Sequence, residues 1–297
     1  MNLLMIGHTV ADIINTSDNT VVKPGGIAYS VAGLKSFKTT DDRIFLCTAV
    51  DDKHKNVFQP LFDGFSELPI QKINSMPVVE LTIPEKGERE ESYSIIPENL
   101  SIPHTELKKM DGIYINMVSG VDISLEQLIQ LRNDFSGLIY FDVHTFSRGV
   151  NSNNERIFRK IPEFHKWAEH IDILQSNELE FRTLSHKNSD SEIFEELFNY
   201  GIEQIVITKG NKGADVHFKE SSRKKIISEP AIKINSINKV GCGDVFGALY
   251  FYKYISTTNI STALKFANTA AGLTTSYSSI NDYQNLKNDV QLRLGKN

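Results

Sequence analysis

Short apolar runs recur along the chain, and segments with helical spacing separate them. The runs are rich in Ile, Val and Tyr, which is typical of strands buried on both faces of a sheet. They lie at Leu3–Ile6, Ile44–Cys47, Ile113–Ile115, Leu138–Phe141, Ile171–Leu174 and Ile205–Ile207. Between them, apolar residues fall on one side of a helix at Leu125, Leu128, Ile129 and Phe135, and again at Ile193, Phe194, Leu197 and Phe198. This alternation predicts a mostly parallel sheet covered by helices on both sides.

One stretch, from about Pro69 to Pro97, breaks the alternation. Val78–Ile83 and Glu91–Ile95 are predicted to be two strands joined by a glycine-containing turn at Glu85–Glu88. A second candidate pair for the same small sheet is Asp12–Asn15 with Thr20–Lys23. We therefore expect an α/β core of residues 1–11, 25–69 and 98–297 and a discontinuous β lid of residues 12–24 and 70–97.

Composition narrows the function classes. A chain of 297 residues with 40% hydrophobic residues can fill the core of one large α/β enzyme. The net charge of -5 gives no basic field, so nucleic acid is not an expected partner. The two cysteines, Cys47 and Cys242, are too few for a disulfide framework, which favours a cytoplasmic location. No apolar stretch approaches the roughly 20 residues that span a bilayer, so no membrane association is expected.

The strongest local signal is the segment Asn238–Ala248, in which Gly241, Gly243 and Asp244 open a predicted helix. Glycines let consecutive N–H groups converge on an anion, and the helix dipole reinforces them. A carboxylate at that position could take the proton from an attacking hydroxyl during phosphoryl transfer. An N-cap role for Asp244 explains the same residues. A dinucleotide-binding G-x-G-x-x-G would need glycine where Phe246 stands, and the Gly-Lys-Ser/Thr ending of a P-loop does not occur.

Gly241-Cys242-Gly243-Asp244, followed by Val245-Phe246-Gly247-Ala248, resembles the G-A-G-D-x-F-x-A/G signature of the ribokinase-like, PfkB-type carbohydrate kinases. The resemblance implies a three-layer α/β fold with a small β-sheet lid. It also implies transfer of the γ-phosphate of ATP, with Mg²⁺, to a hydroxyl of a sugar or related polyol. Asp244 would be the general base, and the backbone of Gly241, Cys242 and Gly243 would form the anion hole.

Further segments follow the order of the same family. Gly7 and Asp12 match G-x-x-x-x-D, whose aspartate binds sugar hydroxyls, and the segment from Gly25 through Gly26 to Ser30 resembles the diglycine motif at the substrate. The resemblance assigns the nucleotide side to Asn177 and Glu180 (N-x-x-E), Thr208, Gly210 and Gly213 (T-x-G-x-x-G), and Asn268 on a late helix; Glu180 would bind magnesium through water. Taken singly, each of these residues also fits an ordinary turn, a helix start or helix packing.

Several positions depart from the family pattern. Asn238 and Lys239 replace Asp and Thr, and Ser30 replaces the diglycine asparagine. The family's D-x-N-x-R is changed at His144 and displaced at Arg148, and both side chains are candidates for binding substrate or phosphate. The acceptor could therefore be another sugar, a polyol such as inositol, or a nucleoside.

Two alternatives stay open. A nucleoside kinase of the same fold could pack a base against Tyr29, Phe146 or Ile27. A kinase-like binding protein without turnover is the second alternative.

An exposed face of the lid sheet would allow a homodimer.

Overall fold

The computed structural model describes residues 1–15, 20–82, 90–93, 95, 97–150, 156–221 and 223–295. The strands are β1 (Asn2–Ile6), β2 (Thr9–Asn15), β3 (Thr20–Gly26), β4 (Arg43–Cys47), β5 (Ala49–Val50), β6 (Gln71–Lys72), β7 (Val78–Thr82), β8 (Glu90–Tyr93), β9 (Gly112–Asn116), β10 (Leu138–Asp142), β11 (Arg148–Val150), β12 (Arg156–Phe158), β13 (Ile173–Asn177), β14 (Gln204–Thr208), β15 (Ala214–Glu220) and β16 (Arg223–Glu229). The helices are α1 (Ile27–Lys35), α2 (Lys55–Phe62), α3 (Leu125–Asp134), α4 (Phe164–Ala168), α5 (Glu178–Phe181), α6 (Asp190–Asn199), α7 (Cys242–Thr257), α8 (Ile260–Thr274) and α9 (Leu286–Leu294).

The central sheet has the order β16-β15-β14-β13-β10-β9-β1-β4. Each neighbouring pair from β14 through β13, β10, β9 and β1 to β4 is parallel. The pairs β14–β15 and β15–β16 are antiparallel. The mostly parallel sheet predicted from the apolar runs is confirmed. Strand β13 begins two residues later than predicted, because the Asp172 carboxylate accepts hydrogen bonds of 2.6 Å from the Ile139 N–H and from Arg132.

Helices cover both faces of this sheet because neighbouring strand residues point in opposite directions. Leu3 and Met5 pack with residues of α1, α7 and α8, while Leu4 and Ile6 pack with residues of α3 and α6. The two cores make the three layers of the domain. Within the described ranges, no helix combines the length and the apolar character needed to cross a membrane.

A separate four-stranded sheet has the order β3-β2-β7-β8. Its strands β7 and β8 pair antiparallel, as the hairpin prediction requires, although the predicted turn at Glu85–Glu88 lies outside the described residues. The sheet joins the core at one end of the β2–β3 pair, where Thr9 faces Gly26. A small sheet apart from the main one was expected from the sequence and is confirmed.

The parallel strands all end at one edge of the central sheet, where open α/β sheets bind ligands. The residues at this edge include Gly7 after β1, and Asn116, Asp142, Asn177 and Thr208 at the ends of β9, β10, β13 and β14. The edge therefore gathers polar groups from distant parts of the chain.

Candidate active site

A cavity of about 700 Å³ opens at this edge, between the strand ends and the start of α7. Its lining contains twelve of the sixteen site residues expected from the sequence: His144, Arg148, Asn177, Glu180, Thr208, Gly210, Gly213, Gly241, Cys242, Gly243, Asp244 and Asn268. The other four, Asp12, Gly25, Gly26 and Ser30, are described residues outside this lining.

The turn before α7 has the geometry of an anion site. Gly241 is the N-cap residue of the helix and adopts a left-handed conformation with φ of 78°. A Cβ atom on Gly241 would overlap the ring of Tyr29, so both its conformation and its surroundings require glycine. Asp244 is the third residue of the helix and not its N-cap, so the simple capping interpretation does not hold. Gly241, Cys242 and Gly243 line the cavity, and the first N–H groups of a helix have no partner within the helix.

The Asp244 carboxylate has two neighbours at one of its oxygens. Asn116 Nδ2 donates a hydrogen bond of 2.7 Å to Asp244 Oδ1, and His144 Nε2 lies 3.8 Å from the same oxygen. The residue is 5% exposed and lines the cavity, so only a small part of it meets the open space. Asn116 was not predicted from the sequence. Its only signal was a polar residue at the end of a buried strand.

A buried polar layer lies beneath Asp244. The Ser30 hydroxyl donates to the Asp244 carbonyl oxygen at 3.1 Å, and the Tyr114 hydroxyl lies 3.4 Å from that oxygen. The two hydroxyls are also 3.2 Å apart. Ser30 has no exposed surface, so the structure places it under the start of α7 and not in the cavity wall.

Asp142 contributes a second buried carboxylate. Burial raises its pKa well above the usual range, and the neighbouring carboxylates of Asp244 and Glu180 raise it further. Gln175 Nε2 donates to Asp142 Oδ2 at 2.9 Å and to the Gly243 carbonyl at 3.1 Å. Gln175 thereby connects β13 to the turn Gly241-Cys242-Gly243, hereafter the anion turn. This contact was not predicted from the sequence.

Asn177 and Glu180 form a capping box at the start of α5. Asn177 Oδ1 accepts from the N–H groups of Leu179 and Glu180, both at 2.9 Å, and Glu180 Oε2 accepts from the Asn177 N–H at 2.9 Å. Burial raises the pKa of Glu180, while the nearby His144 and Arg148 act in the opposite direction. Asn177 and Glu180 therefore form the start of a helix and also line the cavity.

His144 and Arg148 stand on the segment after β10. His144 has a positive φ of 38°, which is uncommon for a residue with a side chain, and its Nδ1 lies 2.9 Å from Thr145 Oγ1. The Arg148 guanidinium stacks over the Phe158 ring at 4.6 Å. Both residues line the cavity, on the segment that follows β10.

The far end of the cavity is more apolar. Gly272 lies against Ile232, because a Cβ atom on the glycine would be 2.5 Å from Ile232 Cγ1. Asn268 Nδ2 donates to the Pro230 carbonyl at 2.8 Å, which fixes the loop after β16 on α8. The wall here consists of Ala231, Ile232, Ile234, Ala271 and Gly272, beside Thr208, Gly210, Gly213 and Asn268. A flat apolar ring fits such a wall.

The departures at Asn238 and Lys239 also have positions. Asn238 Oδ1 accepts from the Val240 N–H at 3.0 Å, which closes the turn before Gly241. Lys239 is exposed and lines the cavity next to that turn. Lys239 therefore places a positive charge beside the turn Gly241-Cys242-Gly243.

Asp12 and Gly25 meet where the small sheet joins the core. A Cβ atom on Gly25 would be 2.5 Å from Asp12 Oδ2, so the carboxylate lies directly on the glycine backbone. Gly26 has a φ of 65° and faces the His8 carbonyl. That carbonyl accepts a 3.0 Å hydrogen bond from the Ile27 N–H, the first of α1. The sequence-predicted acceptor residues Asp12, Gly25 and Gly26 are thus neighbours.

No three His, Cys, Asp or Glu side chains in the described part of the chain come together as a metal-binding group. The buried carboxylates of Asp142 and Glu180 nevertheless offer oxygen ligands, which Mg²⁺ prefers. Since Mg²⁺ keeps several of its waters, one or two carboxylates at the cavity wall fit it without a dedicated cage.

Comparisons with known proteins agree with this arrangement. The model of the pfkB family of carbohydrate kinases matches residues 150–285, which include the anion turn and the apolar wall. The chain is similar to the pfkB family over this part of its length. No curated protein matches the chain in sequence.

Solved structures extend the likeness to the whole ribokinase-like fold. A putative ribokinase II from E. coli, in complex with ATP and Mg²⁺, is similar with a TM-score of 0.75 at 16% identity, over 98% of this chain and 99% of that one. A nucleoside kinase from Methanocaldococcus jannaschii has a TM-score of 0.73 at 17% identity, over 100% and 99%. A pyrophosphate-dependent kinase bound to a pyrophosphate analogue and myo-inositol has a TM-score of 0.71 at 16% identity, over 93% and 95%. The pfkB match and this fold support a phosphotransferase.

Proposed function

We propose that this protein is a pfkB-type kinase that transfers the γ-phosphoryl group of ATP to a hydroxyl of a sugar or related polyol, with Asp244 as the general base. One observation carries the proposal: a carboxylate, a glycine turn at a helix start and an apolar wall line the same cavity. These are the parts that proton removal, phosphate binding and adenine binding each need.

In the proposed reaction the acceptor hydroxyl gives its proton to Asp244. The oxygen of the acceptor forms a bond to the γ-phosphorus while the bond from that phosphorus to the bridging oxygen of ADP breaks. Asn116 donates a hydrogen bond to Asp244 Oδ1, and His144 Nε2 lies 3.8 Å from the same oxygen. Proton transfer to a positioned base contributes about 10²- to 10⁴-fold in rate.

The turn Gly241-Cys242-Gly243 is proposed to bind the oxygens of the transferred group through its backbone N–H groups. The helix dipole of α7, a helix of 16 residues, adds a partial positive charge at this end. Lys239 is positioned to add a full charge on the same side. Charge that develops on the phosphoryl oxygens during transfer is stabilised by such fixed groups.

Glu180, with Asp142 near it, would hold Mg²⁺ through water. When bound, this ion neutralises charge on the donor phosphates. The capping box fixes the Glu180 carboxylate, because its Oε2 accepts a hydrogen bond from the Asn177 N–H.

ATP is favoured over pyrophosphate as the donor because of the apolar wall around Ile232 and Gly272. Pyrophosphate has no apolar part to bury there, whereas adenine does. For the acceptor, the carboxylate of Asp12 on the backbone of Gly25 suits a ligand with several hydroxyls. Phe146 packs on Trp167 at 4.6 Å, and Ile27 is fully buried, so both serve the core and leave few groups for a nucleoside base.

An acceptor screen tests the proposal. The purified protein is assayed for acceptor-dependent ADP formation with sugars, polyols and nucleosides, and in parallel for phosphate release from pyrophosphate. We expect ADP formation with at least one sugar or polyol and none of comparable rate with pyrophosphate. Turnover only with pyrophosphate would remove the ATP assignment, and ATP binding without turnover on any acceptor would favour the non-catalytic alternative.

A further inference from the structure

Asn116, the last residue of β9, contacts Asp244, the proposed base, in the first turn of α7. The residue has no exposed surface, and its Nδ2 donates to Asp244 Oδ1 at 2.7 Å. The two residues are 128 positions apart in the chain, so their contact depends on the fold. A bond from an amide to a carboxylate is charge-assisted and holds the acceptor in one orientation.

The other end of the same amide has no such partner. Asn116 Oδ1 is buried and accepts no hydrogen bond from any residue that the structure describes. A buried polar atom without a partner destabilises a protein, and an apolar residue at this position would remove the problem. Stability therefore does not explain an asparagine here, whereas its bond to Asp244 does.

We propose that Asn116 is a positioning residue for the reaction: its amide holds the Asp244 carboxylate ready to take the acceptor proton. The inference rests on the proposed function of Asp244. Asn116 acts through Asp244 and does not touch the acceptor, since it has no surface through which to do so.

The other contacts of Asp244 described above are of different kinds. His144 Nε2 approaches from the cavity wall at 3.8 Å, and the carboxylates of Asp142 and Glu180 repel the charge on Asp244. The hydroxyls of Tyr114 and Ser30 lie on the backbone carbonyl of Asp244 and not on its carboxylate. Among these contacts, the amide of Asn116 is the one that donates to the carboxylate at hydrogen-bond distance.

The test compares Asn116→Ala and Asn116→Asp with Ser30→Ala as the matched control, on the acceptor with the highest wild-type turnover. For Asn116→Ala we expect kcat to fall by about 10- to 100-fold, as for a misplaced catalytic group, with the KM for ATP and the unfolding temperature close to wild type. Ser30→Ala removes the contacts of the hydroxyl with the Asp244 carbonyl, with Tyr114 and with Asn116 Nδ2 but leaves the bond from Asn116 to the Asp244 carboxylate, so it should lose less.

Asn116→Asp keeps the size of the side chain but puts a second carboxylate beside Asp244. Two adjacent carboxylates retain a proton to higher pH, so the acid limb of the kcat/KM profile should move to higher pH. This shift distinguishes a positioning role from a structural one, and it covers the case in which Asn116→Ala fails to fold.

Wild-type kcat in Asn116→Ala, or an unshifted profile in Asn116→Asp, would overturn the inference. Asp244→Asn is assayed in the same series. If Asp244→Asn is inactive while both Asn116 variants behave as wild type, the inference fails and the proposed function stands. If Asp244→Asn is as active as the wild type, the proposed base is wrong and the inference falls with it.

Discussion

Cys242 lies between the two glycines of the anion turn, where a reactive thiol could take part in the chemistry. Burial, with the Asp244 carboxylate beside it, raises the pKa of the thiol to about 11. The thiol is therefore protonated at neutral pH and is a poor nucleophile. Its backbone N–H, which any residue without a bulky side chain can supply, is the useful group.

Cys242→Ala should accordingly keep kcat within about 3-fold of the wild type, because alanine preserves the backbone donor and the transfer needs no thiol. Steady-state kinetics on the best acceptor measures this. Cys47 is fully buried, so Cys47→Ala is the matched control for loss of a thiol elsewhere. A loss in Cys242→Ala as severe as that in Asp244→Asn would show that the thiol takes part in the chemistry.

Asp142 provides a prediction about pH. Its folded-state pKa is raised by burial and by Asp244, compared with about 3.9 in an unfolded chain. The stability that goes with its protonated form is fully present below about pH 4 and is lost as the pH rises through the folded-state pKa. Asp142→Asn has no carboxyl group to ionise, so its stability does not fall in this way as the pH rises. Its side-chain oxygen can still accept a hydrogen bond from Gln175.

The unfolding temperature of Asp142→Asn should therefore exceed that of the wild type at pH 8, and the difference should shrink toward pH 4. Thermal unfolding followed by circular dichroism across this range measures it, with exposed Asp63→Asn as the control. A difference that does not change with pH would mean that Asp142 is ionised without cost in the fold.

At the scale of elements, the pair β2–β3 connects the small sheet to the core and carries Asp12 opposite the start of α1. The register sets Asp12 beside Lys23, one residue from Pro24 and two from Gly25. The carboxylate lies on the Gly25 backbone, which leaves no room for a side chain there. The small sheet and the proposed acceptor residues are thus coupled through one glycine.

Gly25→Ala should displace the Asp12 carboxylate and raise the KM for the acceptor about 10-fold or more, with the KM for ATP unchanged. Asp12→Ala should do the same by removing the carboxylate. In the double variant the new methyl group has no carboxylate to displace, so its acceptor KM should be no higher than that of Asp12→Ala. Additive effects would mean that Gly25 and Asp12 act on the acceptor independently.

The strands could be predicted from the sequence better than their contacts. Apolar runs located β1, β4, β9, β10 and β14 within a residue or two, because burial on both faces leaves a continuous apolar signal. Strands β15 and β16 were missed, since β16 is rich in charged residues, as befits a strand at the edge of the sheet.

At the scale of the whole molecule, the glycine and aspartate motifs predicted which residues would share a cavity, because each motif shapes the backbone locally. Asn116, Gln175 and Tyr114 carry no such local mark. Their role depends on strand order and on partners 68 to 130 residues away. Ser30 shows the converse: its motif position was recognised, but whether its side chain faces the cavity or the core depends on the packing of α1 against α7.

The central claim is that Asp244 removes the proton from an acceptor hydroxyl as phosphoryl transfer from ATP proceeds. The most direct measurement is the turnover of Asp244→Asn, a change that keeps the shape of the side chain, together with its ATP affinity by calorimetry. The account predicts a fold and an ATP affinity like those of the wild type, and a kcat lower by about 10²- to 10⁴-fold. A kcat close to that of the wild type, in a folded variant that binds ATP normally, would contradict it.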